Sequence, residues 1–260
     1  MKSKVFLFAA LCVSMLFIFS ACGDDNGNGG VTGLPDVYDG DYEWLIMIND
    51  NQNWAVKSDE YMVTALWLGE YGESPSGEGF KVSFAGESYE MNGFMGSYFS
   101  SVPLASGTEY EFEFSNDEDV ICSSTIRTPY KAEIEFPDPF VPTQSTDLEW
   151  TMDADNDYQY FEAYSENDGY KKGDDDEDEE EGYFLMLDPG ARSLTIPANA
   201  VEEVGTYGYY SLSLMQMNFY PKNACAISCL SVASNLDVYE ENDVAPSRHL
   251  SLVRELGLLD

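Results

Sequence analysis

The chain is 260 residues long, enough for one large domain or two of about 100 residues each, and aromatic side chains make up 14% of it. Its 48 acidic residues outnumber 12 basic ones, for a formal charge of −36. A surface of that sign repels nucleic acid and anionic lipid headgroups, which positive charge would attract, so both are excluded as partners; the apolar content excludes disorder for most of the chain.

The first element is N-terminal. Lys2 and Lys4 form a positive patch, and Val5 to Phe19 is apolar apart from Ser14. A run of about fifteen residues is short for a bilayer span of roughly twenty but fits the apolar region of a secretory signal. Ser20 and Ala21 then precede Cys22, where an ordinary secreted protein needs no cysteine. This arrangement resembles the lipobox of bacterial lipoproteins, with Phe19 standing where Leu is usual. The resemblance implies that residues 1–21 are a signal peptide and that Cys22 becomes the acylated N-terminus, held in outer-membrane lipid by several chains. Each buried CH₂ contributes about 0.8 kcal/mol. Cleavage removes two lysines and no acid, taking the charge from −36 to −38.

Residues 22–33, CGDDNGNGGVTG, continue the chain after the apolar run with a stretch that buries nothing and forms a flexible tether. The pair Asp24-Asp25 resembles the export signal that sends lipoproteins of the Bacteroidota to the outer face of the outer membrane. The implied location is the cell exterior, anchored by lipid.

Beyond the tether, period-two alternation bounded by Gly, Pro, Asn and Asp predicts short antiparallel strands with one face in a core. In EYEFEF, Tyr110, Phe112 and Phe114 point one way and the glutamates the other. In KAEIEF, Ala132, Ile134 and Phe136 form one set; Leu148, Trp150 and Met152 form another, and Tyr158, Tyr160, Glu162 and Tyr164 follow. Four prolines, at 129, 137, 139 and 142, punctuate TPYKAEIEFPDPFVP and mark a boundary, because proline is poorly tolerated inside a central strand. The expected fold is therefore all-β: two consecutive Ig-like sandwiches, at 34–130 and 131–240, with an acidic loop at 173–182. A tail at 241–260 follows, where Leu250, Val253, Leu256 and Leu259 have helical spacing behind a Ser247 cap.

The order TALWLGEYG, SVPLASGTEYEFEFS, SSTIRTP resembles the small Ig-like or transthyretin-like modules of Bacteroidota surface lipoproteins, through Leu104, Gly107, Tyr110, Thr128 and Pro129. The segments LEWTMDADNDYQYFEAY and SLTIPANAVEEVGTYGYYSLSL resemble a fibronectin type III-like sandwich, with Trp150 on an early core strand and Gly205 and Tyr207 opening a late one. These motifs imply scaffold and carry no chemistry.

Candidate sites are few. Trp54, in the polar stretch NDNQNWAV, is the tryptophan least easily buried by pattern and is the candidate ligand contact; Trp44, Trp67 and Tyr71 complete a candidate stacking platform. Asp153, Asp155 and Asp157 have the spacing that opens a calcium loop, and Ca²⁺ is the one cofactor the sequence admits. Tyr158 and Tyr164 stand where an EF-hand needs glycine and glutamate, so any such site needs a second loop. The eight carboxylates from Asp174 to Glu181 read as a solvated loop.

Cys122, Cys225 and Cys229 lack metal-ligand spacing and read as structural thiols, with their pairing open. No nucleophile, zinc or phosphate-loop signature is present, and His249 is the single histidine. The reading is a non-catalytic surface binding or accessory protein for a glycan, a peptide or an outer-membrane partner. The alternatives are a fimbria-like or adhesin subunit and a carboxylate-based glycan hydrolase. Pilin-type maturation needs a basic residue after the lipid anchor, and no Lys or Arg lies between Cys22 and Val56.

Overall fold

The computed structural model describes residues 42–51, 60–68, 79–94, 97–166, 181–204 and 209–238. Among them are fifteen β-strands and no helix. The first eight are β1 (Trp44–Asn51), β2 (Glu60–Trp67), β3 (Lys81–Phe84), β4 (Glu87–Glu90), β5 (Asn92–Phe94), β6 (Ser97–Pro103), β7 (Glu109–Ser115) and β8 (Val120–Arg127). Seven follow: β9 (Glu133–Ile134), β10 (Thr146–Thr151), β11 (Tyr158–Glu166), β12 (Glu181–Leu187), β13 (Ser193–Ile196), β14 (Tyr209–Lys222) and β15 (Cys225–Val238).

The described residues are all-β, as the alternation predicts, and the helix expected in the 241–260 tail lies outside them. On β7, Phe112 and Phe114 are buried while Glu109 and Glu111 are exposed. On β10, Leu148 and Trp150 are buried while Asp147 and Glu149 are exposed. Turn chemistry agrees with the strands. Ala85 and Gly86, between β3 and β4, both have positive φ (49° and 86°), the combination a two-residue type I′ hairpin requires. Asn223, also at positive φ, turns β14 into β15.

The strands form two large cores and a smaller cluster of Leu45, Met47, Leu66 and Ala226. In the first, Trp44 packs edge-on against Phe114 and Trp67, with ring centroids 4.9 and 5.2 Å away, beside Phe80, Val82 and Ile126. In the second, Leu148, Trp150, Phe161, Ile196, Leu212 and Leu214 pack together. Each fully buried side chain of this size contributes about 1.5–3 kcal/mol.

The cores are not covered by independent pairs of sheets. A four-stranded sheet in the order β4-β3-β7-β8 carries part of the first core, and a three-stranded sheet β13-β10-β9 part of the second. The remaining strands form one eight-stranded sheet, β12-β11-β14-β15-β1-β2-β6-β5, that serves both.

The join is the long hairpin β14–β15, whose two strands have fourteen residues each. β14 pairs with β11 from Tyr209↔Glu166 to Met217↔Tyr158 and then runs on beside β15 to Lys222. β15 pairs in parallel with β1, from Trp44↔Cys225 to Asn51↔Val232. Cys225, Ile227 and Cys229 therefore lie in the first core, although they follow the second sandwich in sequence.

Strand β11 shows its faces in the opposite sense to the rest. Its buried set is Gln159, Phe161, Ala163 and Ser165, while Tyr158, Tyr160, Glu162 and Tyr164 are half-buried on the other face. Tyr158 stacks on Tyr160 there, with centroids 6.5 Å apart. The tyrosine set was the obvious core candidate by size, but register decides. Phe161 pairs with Leu214 and Ala163 with Leu212, which places both on the core face of β14.

Candidate functional site: an acidic cleft beside the seam

Where the two sandwiches meet, backbone polarity is satisfied by buried side-chain amides. Asn156 accepts from the Tyr130 N–H at 2.8 Å and donates to the Tyr130 carbonyl at 2.9 Å and to Gln216 Oε1 at 3.2 Å. Gln216 in turn donates to Gln159 at 3.1 Å, and Gln159 donates to the Asp188 carbonyl at 2.9 Å. Asn218 donates to the Arg127 carbonyl at 3.0 Å and accepts from the Asp157 N–H at 2.9 Å. Such a network favours one arrangement because any other strands buried donors. An ion pair adds to it: Lys131 Nζ lies 2.6 Å from the buried Asp50 carboxylate on β1 and 5.7 Å from the Tyr61 ring centroid. Burial, with Asp50 second, pushes the Tyr61 phenol well above its usual range.

Beside this seam, in the second sandwich, lies an open cleft of about 870 Å³. Strands β9 and β10 line one side, Ala233 and Ser234 of β15 the other. Its apolar lining comes from Ala132, Ile134, Phe136 and Trp150, and Glu133, Glu135 and Glu149 supply its charge. A single cation, Arg192, lines it as well, and Asp155 holds that guanidinium at 2.6 Å. Among the described residues, the buried Trp150 Nε1–H has no hydrogen-bond partner. The arrangement can accept hydrogen bonds from hydroxyl, amide or ammonium donors and cover an apolar stretch of ligand. Neither histidine nor cysteine is among its lining residues.

The residues singled out by sequence fall elsewhere. Asp153, Asp155 and Asp157 do not converge: Asp155 pairs with Arg192, Asp157 accepts from the Phe219 N–H at 3.4 Å, and Asp153 is exposed. Among the described residues no cluster of three or more His, Cys, Asp or Glu is placed to hold a metal ion. Trp44 is buried and Trp67 half-buried in the first core, and Trp54 and Tyr71 lie outside the described residues. So do Cys22, the tether and signal segment, His249 and the acidic run up to Glu180; Glu181 opens β12.

The cleft residues were not singled out. Glu133, Glu135 and Glu149 read as the wet face of alternating strands, which they are. No local signal says that two sheet edges leave a space between them.

The scaffold motifs find physical reasons. Tyr110 OH accepts from the Ala105 N–H at 2.9 Å, five residues upstream, and Gly107 (φ +64°) lies so near the Tyr130 ring that a Cβ would collide with it. Tyr210 OH accepts from the Val204 N–H at 2.8 Å in the second sandwich. Both are tyrosine corners of the kind found in Ig-like folds. In the second sandwich the corner residue is Tyr210; Gly205 and Tyr207 lie outside the described residues.

No family model and no curated protein matches the chain. Among solved structures it is similar to a two-domain fibronectin type III segment of chicken tenascin, with 11% identity, 67% of this chain and 90% of that one covered, and a TM-score of 0.23. It is also similar to a proposed membrane-anchored protein from Corynebacterium diphtheriae, with 10% identity, 78% of this chain and 62% of that one covered, and a TM-score of 0.20.

Proposed function

We propose that the protein is a lipid-anchored, surface-exposed binding or accessory protein that acts without catalysis, recognising a glycan, a peptide or an outer-membrane partner. The acidic cleft carries this reading: an open, apolar-floored space with carboxylates around it, held beside a seam of buried amides. Support for the address comes from Cys22 at the edge of the apolar run and from the Gly/Asn/Asp tether behind it. Recognition then takes place at one fixed site on a double sandwich, at the end of a tether long enough to clear the headgroups.

The test has two parts, both on the full chain in its bacterial host and in detergent. Metabolic labelling with a fatty acid is expected to mark the protein and to be lost in Cys22→Ala. A glycan and protein-partner screen is expected to return a ligand whose binding falls at least tenfold in the double variant Glu133→Lys/Glu149→Lys. Unchanged binding in that variant removes the cleft as the site. Binding that needs added Ca²⁺ would revive the aspartates of the 153–157 loop.

A further inference from the structure

We propose that Cys122 and Cys225 form a disulfide between the two sheets of the first sandwich in the exported protein. Cys122 lies on β8, in the four-stranded sheet, and Cys225 opens β15, in the eight-stranded one. Both side chains are buried in the first core, both thiols are free, and strands β8 and β15 touch one another. Cys122 pairs in register with Phe114 and Cys225 with Trp44, and the Phe114 and Trp44 rings lie 4.9 Å apart, which brings the two cysteines to the same part of the core. Cys229 shares the core face of β15 with Cys225 but lies four residues on, about 13 Å along an extended strand and far beyond the reach of a bond to it. Position thus selects one pair from three thiols, where spacing in the sequence left the choice open. The proposal rests on the export reading for its oxidising compartment.

The chemistry balances with a disulfide donor of the glutathione or thiol-oxidoreductase class. One protein thiolate attacks the donor disulfide, releasing one donor thiolate and leaving a mixed disulfide. The second protein thiolate then displaces the remaining donor sulfur. The protein loses two electrons and two protons, and the donor disulfide is reduced to two thiols.

Timing follows from the surroundings. In the folded core the hydrogen bond with Cys122, and then burial, push the Cys225 thiol up, so little thiolate forms there. The bond therefore closes while the chain is folding, before burial removes the reactive thiolate. Once closed, it is shielded from reductants and ties the tip of the β14–β15 hairpin to the first sandwich.

The test reads Cys122, Cys225 and Cys229 by alkylation under denaturing conditions and peptide mass spectrometry. The full chain is prepared twice: exported with its own N-terminal segment, and purified from cytoplasm then refolded in a glutathione redox buffer. In both, the Cys122 and Cys225 peptides are expected joined, lighter by about 2 Da than the two free-thiol peptides together, with Cys229 alkylated. Cys229→Ser keeps the link; Cys225→Ser abolishes it and leaves Cys122 alkylated. A link in the refolded chain alone upholds the bond and counts against the export reading. Alkylation of both residues in both preparations, or a link through Cys229, overturns the proposal.

Discussion

Thr128 is fully buried, and its hydroxyl accepts from the Thr108 N–H at 3.0 Å while donating to the Ala105 carbonyl at 2.6 Å. It fastens the strand leaving the first sandwich to the loop that carries Gly107. Thr128→Val keeps the volume and strands the Thr108 donor, which is expected to cost about 1–3 kcal/mol in chemical denaturation. Glu162 makes the opposite point: it shares a face of β11 with Tyr160 and Tyr164 and stands opposite Phe184 on β12. Burial raises its pKa above the ordinary carboxylate value. The folded state then binds this proton more tightly than the unfolded state does. The resulting stabilisation is full at low pH and is lost as pH rises from about 4.3 through the raised value. Glu162→Gln is expected to raise the melting temperature at pH 7 by a few degrees, on the order of 1 kcal/mol or less, and to leave it unchanged near pH 3. Equal effects at the two pH values would assign the gain to packing instead.

At the scale of elements, the β3–β4 hairpin carries a residue poorly suited to its turn. Ala85 holds φ 49° without the side-chain hydrogen bond that makes asparagine tolerant of this conformation. Ala85→Asn gives the Asn-Gly turn and is expected to stabilise the protein by about 1 kcal/mol in thermal unfolding. Strands such as β7 and β10 were legible in the sequence because one face is wet and the residue types alternate with it. The corner at Tyr110 was legible as a motif, although its hydrogen bond to Ala105 was not. The core face of β11 was hidden, since bulky tyrosines occupy the face that register turns away from the core. The membership of β15 in the first core was hidden for a deeper reason. ACAISCLSVAS is a nearly continuous apolar run, and parallel pairing to a strand about 180 residues earlier leaves no local mark. The cleft follows from such non-local geometry, so its glutamates looked like any solvated strand face. Of the three aspartates, two make tertiary contacts that the local pattern does not show, Asp155 holding Arg192 and Asp157 bonding to β14.

The described strands place two large cores on one continuous eight-stranded sheet. Two sandwiches joined only by a Thr-Pro linker would unfold separately. Here the hairpin supplies a strand to each, the amides of Asn156, Gln159, Gln216 and Asn218 bond across the junction, and Lys131 reaches the buried Asp50 of the first sandwich. Losing one core exposes the hairpin that completes the other, so the cores are expected to melt together. That coupling keeps the acidic cleft in a fixed setting. Differential scanning calorimetry of the full chain tests it most directly. A single transition, with calorimetric and van't Hoff enthalpies in agreement, is the predicted result. Two resolved transitions, each with about half of the enthalpy, would contradict it.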